Sequence, residues 1–255
     1  MTSFEVKNLR FAYGKEEILK GISFQIPEGK ITTILGPNGC GKSTLFHLLT
    51  KNLSAKSGSI SFHGTEVKSI KLKEFAKQVA TVHQYNTAPD DITVRDLVAY
   101  GRTPYHHYGI GNKEEDERCV NRALELTNLV ELENQAVSSL SGGQRQRVWI
   151  ALALAQNTGV LFLDEPTTYL DIHYQLELLR LIRRLNEEER ITIVMILHDV
   201  NQALYYSDYV IGLRDGKVLI EGEPDMVIHE TSMEQIYHTK LKVTTVDGKK
   251  LVLTV

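Results

Sequence analysis

An α/β fold with a mostly parallel sheet, an N-terminal antiparallel β subdomain and an inserted α-helical subdomain is predicted by three features of the sequence. The opening third alternates apolar and polar residues. The last hundred residues alternate β-rich runs with helical patterns. Between them lies a stretch with the texture of neither. In the opening third, Phe4 and Val6, then Leu9 and Phe11, lie on one side, and Ile22, Phe24 and Ile26 repeat the alternation, as do Ile60 and Phe62; this is the period of half-buried antiparallel strands. ITTILG (31–36) is instead a continuous β-rich run, suited to a strand buried on both faces, with a helix starting at the loop after it.

From about residue 85 to 140 the chain carries helical patterns at 94–100 and 119–129, a Gly/Pro-broken aromatic loop, GRTPYHHYGIG, and the charge run KEEDER. Strands predicted at 159–163, 191–197 and 209–213 then alternate with helices at 172–188 and from Asn201, a βαβα rhythm that argues for parallel strands. The leucines of 176–185 fall at helical spacing and read as core, and NEEER, like KEEDER, reads as a solvated helix face. The tail LKVTTVDGKKLVLTV predicts a hairpin turning at Asp247-Gly248. With no repeat or low-complexity linker, we expect a single domain over 1–255: residues 1–84 and 156–255 as β subdomain, core and C-terminal hairpin, and 85–155 as the helical subdomain.

Bulk properties narrow the function classes. At 255 residues the chain can bury a substantial core. A formal net charge of -3 supplies no general electrostatic grip on DNA or RNA, so no nucleic-acid partner is expected. No apolar run approaches the roughly 20 residues that span a bilayer, and MTSFEVKNLR has charges where a signal peptide needs an apolar stretch. Work at a membrane would need another chain as anchor. The 2 cysteines, Cys40 and Cys119, read as free thiols in a reducing compartment. Cys40 is either a small filler of its loop or a thiol activated by a nearby helix amino terminus.

Residues 36–44, GPNGCGKST, carry the most direct chemistry. Gly36, Pro37, Asn38, Gly39, Cys40, Gly41, Lys42 and Ser43 match the G-x-x-x-x-G-K-[ST] phosphate loop, followed by Thr44, after a predicted strand and before a predicted helix. The glycines let successive backbone N–H groups converge on phosphate oxygens, and the helix start adds a positive pole. Lys42 is expected to reach the β- and γ-phosphates of ATP, and the Ser43 hydroxyl to coordinate Mg²⁺. The core is thus that of a P-loop NTPase. VLFLDEP (160–166) places Asp164 at the carboxyl end of a buried strand, where it can hold the Mg²⁺ water shell. Glu165 follows, where a carboxylate can orient an attacking water and accept its proton.

LSGGQRQR (140–147) needs a second explanation. Ser141 reads as the N-cap of a helix over 144–155, and Gly142 and Gly143 expose backbone N–H groups there. That is a second anion cradle, and one nucleotide does not need two from one chain. Together with GPNGCGKST, VLFLDEP and ILHDV (196–200), in this order, the segment resembles the ATP-binding subunit of an ABC transporter over nearly the whole chain. The resemblance implies a head-to-tail homodimer in which Ser141, Gly142, Gly143 and Gln144 cap the partner's γ-phosphate. It also implies that His198 is the switch histidine and that Gln84, in VHQYN, senses Mg²⁺ and the γ-phosphate. Tyr13, by default a core or hairpin aromatic, becomes the residue that stacks on adenine, and Asp171, in TTYLD, runs along the dimer seam. His106 and His107 read as an exposed loop, since adjacent histidines rarely converge on one metal ion.

Within the family, the single ATPase unit, the lack of a heptad insert and the lack of a membrane segment disfavour soluble ABC ATPases of ribosomes or DNA, and exporters. GRTPYH, TTYLDIHYQLELL and LHDVNQA look closest to the ATPases of importers for ferric siderophores, haem or cobalamin. That likeness implies integral membrane permease subunits as partners, an extracellular or periplasmic substrate-binding protein acting indirectly, and a peripheral place on the cytoplasmic face of the membrane.

Overall fold

The structure, a computed structural model, describes residues 1–106 and 111–253, so His107 and Tyr108 of the aromatic loop lie outside the described residues. The chain forms two compact units, Met1–Ile70 with Thr192–Val255 and Lys71–Ile191.

In the first unit, β1 (Thr2–Tyr13) pairs with β2 (Glu16–Pro27), then come β3 (Ile31–Leu35), α1 (Lys42–Leu49), β4 (Ser57–Phe62) and the short β5 (Thr65–Glu66). The order β2-β1-β4-β5 is antiparallel throughout. The phase slip between Val6 and Leu9 in the sequence has a structural cause. The ladder shifts register between them, Asn8 adopts φ 45°, and its N–H bonds to Ser23 Oγ at 2.8 Å. This bulge returns Leu9 and Phe11 to the face of Phe4 and Val6, and all four are buried.

The second unit contains α2 (Leu72–Ala76), β6 (Val79–Val82), α3 (Val94–Ala99), α4 (Lys113–Leu126), α5 (Gly142–Ala155), β7 (Val160–Leu163) and α6 (Ile172–Glu189). Strands β6 and β7 pair in parallel. Helices α3, α4 and α5 share a core that includes Val94, Leu97, Leu124, Leu129 and Val148; each such side chain contributes about 1.5–3 kcal/mol by leaving water. Helix α4 begins earlier than the apolar period indicates. Asn112 caps it by accepting from the Glu115 N–H, and Glu114, Glu115 and Asp116 fill the first turn, where carboxylates favour a helix start. KEEDER is therefore the start of a helix as well as a solvated face. The leucine-rich stretch of α6 buries Leu178, Leu179, Leu181 and Leu185, and leaves Leu176 half-buried.

The chain then completes the first unit with β8 (Thr192–Ile196), α7 (Val200–Tyr206), β9 (Tyr209–Arg214), β10 (Lys217–Gly222), α8 (Pro224–Val227), α9 (Glu230–Tyr237), β11 (Lys242–Val246) and β12 (Lys249–Leu253). Strand β3 lies between β8 and β9, parallel to both, and all five of its residues are buried, as the continuous β-rich run predicts. Antiparallel β10 follows β9, so the parallel arrangement ends at an antiparallel strand. Sequence periodicity did not indicate β6, β10, α2, α8 or α9. The last strands pair as the expected hairpin, with Asp247 at φ 50° and Gly248 at φ 74°, both in the left-handed region of a tight hairpin turn. This hairpin is fastened to α7 by a double amide contact. Asn201 Nδ2 donates to Val252 O at 3.0 Å, and Val252 N donates to Asn201 Oδ1 at 2.8 Å.

Candidate functional site

In the first unit the phosphate loop leaves the carboxyl end of β3 and enters α1. Gly36 is at φ 149° and a Cβ there would stand 2.2 Å from Leu213 O, so this position admits only glycine without displacement of the loop. The other side is open: Asn38 and Gly39 are exposed, and nothing lies within 4 Å of a Cβ built on Gly39. Gly41 caps α1 without a side-chain bond, and the first turn contains no acidic residue. The helix start therefore offers free-standing backbone N–H groups and a positive pole, with no carboxylate to compete with an anion. Lys42 is buried, and its Nζ donates to Gly36 O and Pro37 O, each at 2.9 Å, which folds the ammonium into the loop. Ser43 is exposed beside it and Thr44 is half-buried.

Burial pushes the Cys40 thiol up, more than neighbouring Lys42 lowers it, so the thiol stays protonated and the activated-thiol alternative fails. Cys40 fills space behind the loop, where its carbonyl accepts from Gly216 N at 3.2 Å. Cys119 is likewise buried and free.

His198 lies two residues beyond β8, exposed, and the neighbouring strand β3 leads to the phosphate loop: Ile34 pairs with Ile196, and Leu197 N donates to Ile34 O. Two functional segments thus leave adjacent parallel strands at their carboxyl ends, where open α/β sheets place ligands. Asp199, next in sequence, caps α7 by accepting from Asn201 N at 2.7 Å. Tyr13 closes β1, 51% exposed, with its ring edge-on to Phe11 at 4.9 Å; the exposed ring is therefore not a core aromatic.

The second unit repeats the strand-end arrangement. Val82 of β6 pairs with Leu163 of β7, and Asp164 N donates to Val82 O at 2.9 Å. Gln84 and the Asp164–Glu165 pair therefore leave neighbouring strands together. Asp164 is buried, Glu165 is half-buried, and Gln84 Nε2 donates to Glu165 Oε2 at 2.5 Å. Thr168 Oγ1 reaches the same oxygen at 3.3 Å, across a turn in which Thr168 N donates to Glu165 O. Glu165 holds φ 49°, a conformation that costs a non-glycine residue of order 1 kcal/mol or more and is found disproportionately at active sites. Sequence reasoning missed Thr168; its signal was a hydroxyl three residues after the carboxylate, on a turn.

Ser141 caps α5 as expected. Its Oγ accepts from Gln144 N at 3.3 Å, and Gln144 Oε1 accepts from Ser141 N at 2.9 Å, a reciprocal capping box. The helix starts at Gly142, two residues earlier than predicted, because the glycines fit a helical first turn. Gly143 is required by packing as well, since a Cβ there would stand 2.7 Å from the Tyr174 ring. Ser141 and Gly142 are exposed. Asp171 is exposed and caps α6 by accepting from Tyr174 N at 3.1 Å. His106 pairs with Asp116 at 2.9 Å rather than with a metal ligand set.

The open cradle and buried Lys42 fit the phosphates of a nucleoside triphosphate. For a metal, the first unit offers the Ser43 hydroxyl, and the second, at its own strand ends, offers the Gln84 amide and the Asp164 carboxylate, oxygen donors of the hard kind that Mg²⁺ takes. Among the described residues no group of three or more His, Cys, Asp or Glu side chains gathers as a metal site, so a cation here would depend on phosphate oxygens and water, the usual coordination of Mg²⁺ in phosphoryl-transfer sites.

Residues 19–168 match the family model described as ABC transporter. The chain belongs to the ABC transporter family. It is 42% identical over 246 residues to the iron(3+)-hydroxamate import ATP-binding protein FhuC of Bacillus subtilis (strain 168), covering 96% of this chain and 91% of that protein. It is 42% identical over 231 residues to the ferric enterobactin transport ATP-binding protein FepC of Escherichia coli (strain K12), covering 91% and 85%. Among solved structures, a bacterial ABC transporter cassette determined as a dimer superposes with a TM-score of 0.74 at 28% identity, covering 87% of this chain and 98% of that one. This ABC cassette binds and hydrolyses ATP. Among its described residues no helix is long and apolar enough to cross a membrane.

Proposed function

We propose that this ABC cassette drives import of a ferric siderophore through separate permease subunits, on the cytoplasmic face of the membrane. The observation that carries this reading is the 42% identity, over nearly the full chain, to ATP-binding proteins named for iron(3+)-hydroxamate and ferric enterobactin transport. Haem and cobalamin are the neighbouring cargo classes.

The residue roles follow from the chemistry of the phosphate loop and the Asp164-Glu165 strand end and, for Tyr13, Gln84, His198, Ser141–Gln144 and Asp171, from the family likeness. Tyr13 stacks on the adenine, and the N–H groups of residues 36–44 with Lys42 hold the phosphates. Ser43, Gln84 and Asp164 hold Mg²⁺, which when bound neutralises charge on the β- and γ-phosphate oxygens. Glu165 orients the attacking water and accepts its proton, and His198 contacts the γ-phosphate. Residues 85–155 act as the helical subdomain of a single ATPase domain. The helix start at Ser141–Gln144, where Ser141 and Gly142 are exposed, serves the ATP of a second copy of this chain, and Asp171 lies along that seam. ATP then joins the dimer and its hydrolysis releases it. An open depression of about 760 Å³ lined by Pro89, Asp91, Ile92, Asp96 and Tyr100 suits a short permease helix with a basic end, because its two carboxylates flank apolar and aromatic surface. The substrate-binding protein acts through the permease.

The decisive assay is uptake of labelled ferric hydroxamate, ferric catecholate, haem and cobalamin in a strain lacking the gene. Loss of ferric-siderophore uptake, restored by the wild-type chain and not by Glu165→Gln, is expected. Unchanged uptake of every ferric siderophore would remove the cargo class, and loss confined to haem or cobalamin would reassign it.

The shared site has its own test. A Ser141→Arg chain mixed with a Lys42→Ala chain leaves one intact cradle-and-signature pair per heterodimer. Neither parent alone hydrolyses ATP appreciably, and the mixture recovers activity. Two fully active parents would contradict action in trans.

A further inference from the structure

The loop that carries Gln84 and the turn that carries Glu165 are joined twice. One joint is the Gln84–Glu165 hydrogen bond at 2.5 Å. The other, one residue along the first loop, is a hydroxyl–hydroxyl bond of 2.9 Å between Tyr85 and Tyr169, whose ring centroids lie 6.2 Å apart. Tyr85 is 71% exposed and Tyr169 80% exposed, so core burial does not account for two large aromatic rings standing here. Tyr169 also holds φ 65°, the left-handed region that disfavours a bulky side chain.

The two joints have different chemistry. An amide N–H on Oε2 takes up one of the carboxylate's lone-pair sites that would otherwise be open to water. Gln84, while held there, is also held away from other duties. The tyrosine pair fixes the backbone on both sides of this contact, and as an exposed hydrogen bond between neutral groups it is weak and easily released. Backbone strain at Glu165 and Tyr169 favours that release.

We propose that Tyr85 and Tyr169 are positioning residues that restrain basal ATP hydrolysis by holding Gln84 on the Glu165 carboxylate until the two loops separate. The proposal rests on Glu165 being the proton acceptor. Opening the tyrosine bond frees the amide to leave Oε2, and the carboxylate then accepts from water. The pair thus sets turnover without touching the nucleotide.

Tyr85→Phe and Tyr169→Phe each delete one hydroxyl and keep the ring. In the full-length chain each should raise kcat for ATP about three- to tenfold, the scale of one exposed hydrogen bond. KM for ATP should stay at the wild-type value and the melting midpoint should fall by no more than a few degrees, the cost of the same bond, whereas a merely structural contact would leave kcat alone. The double variant should match either single variant, because all of them lack the same bond. Unchanged or slower turnover in the single variants, or additive effects in the double, overturns the restraint. Glu165→Gln, assayed in parallel, separates the two ideas. If it is inactive while the tyrosine variants behave as wild type, only the restraint is lost; if it is active, the role of Glu165 itself falls.

Discussion

Glu165→Gln should lower ATP turnover by roughly 10²–10⁴-fold, the usual contribution of a general base, equivalent to about 3–5 kcal/mol of transition-state stabilisation. The amide is close to the carboxylate in shape, so the strand-end geometry at Asp164 and the left-handed turn at Glu165 should survive. What is lost is the proton acceptor. The hydrogen bond from Gln84 can be remade to the new amide oxygen, which separates this effect from a local collapse. ATP affinity should stay near the wild-type value, and the ATP-bound dimer should persist on size exclusion while phosphate release stops. Near-normal turnover would place the base elsewhere.

Lys42→Ala should act a step earlier, on binding itself. Lys42 Nζ is held by the carbonyls of Gly36 and Pro37 and is almost entirely removed from water. In the proposed role a nucleotide would replace those neutral partners with phosphate oxygens, at little cost in reorganisation because the ammonium is already in the loop. A hydrogen bond to a charged group contributes about 1.5–3 kcal/mol, so ATP affinity should fall on the order of 10- to 150-fold. Asp164→Asn should instead leave Mg²⁺-free binding intact and impair Mg²⁺-dependent turnover. Titration calorimetry with and without Mg²⁺ separates the variants, and identical profiles for both would contradict the division of labour.

Most of the fold was legible because its strongest signals are local. The alternation of β1 and β2, the continuous β-rich run of β3 and the Asp247-Gly248 turn each need only their neighbours to be understood. The phosphate loop is legible for the same reason, since its glycines are required by backbone geometry at Gly36. Strand β6 is not indicated because alanine and threonine interrupt the short VATV, where the equally short VLFL of β7 is apolar throughout, and β10 because KVLIEG lies half in water and mixes charge with apolar residues. The early start of α4 escaped because a capping asparagine and three acids carry it, not apolar spacing. At the candidate site, sequence gives residue types but not pairings. The contacts of Glu165 with Gln84 and Thr168, and of Tyr85 with Tyr169, join residues 3 to 84 positions apart and are visible only in three dimensions.

The central strand β3 has a consequence for synthesis of the chain on the ribosome. Ile31 pairs with Ile193 on one side, and Thr32 with Tyr209 on the other, so neither neighbour of this wholly buried strand exists until most of the polypeptide has been made. At about 5–20 residues per second, the strand waits on the order of 10–30 s for its first lateral partner. During that interval its unpaired edges are a template for aggregation, whereas residues 71–191, contiguous in sequence, can emerge and collapse as a block. The nascent chain is therefore most vulnerable at its amino-terminal third, and chaperone demand should be greatest there before translation ends.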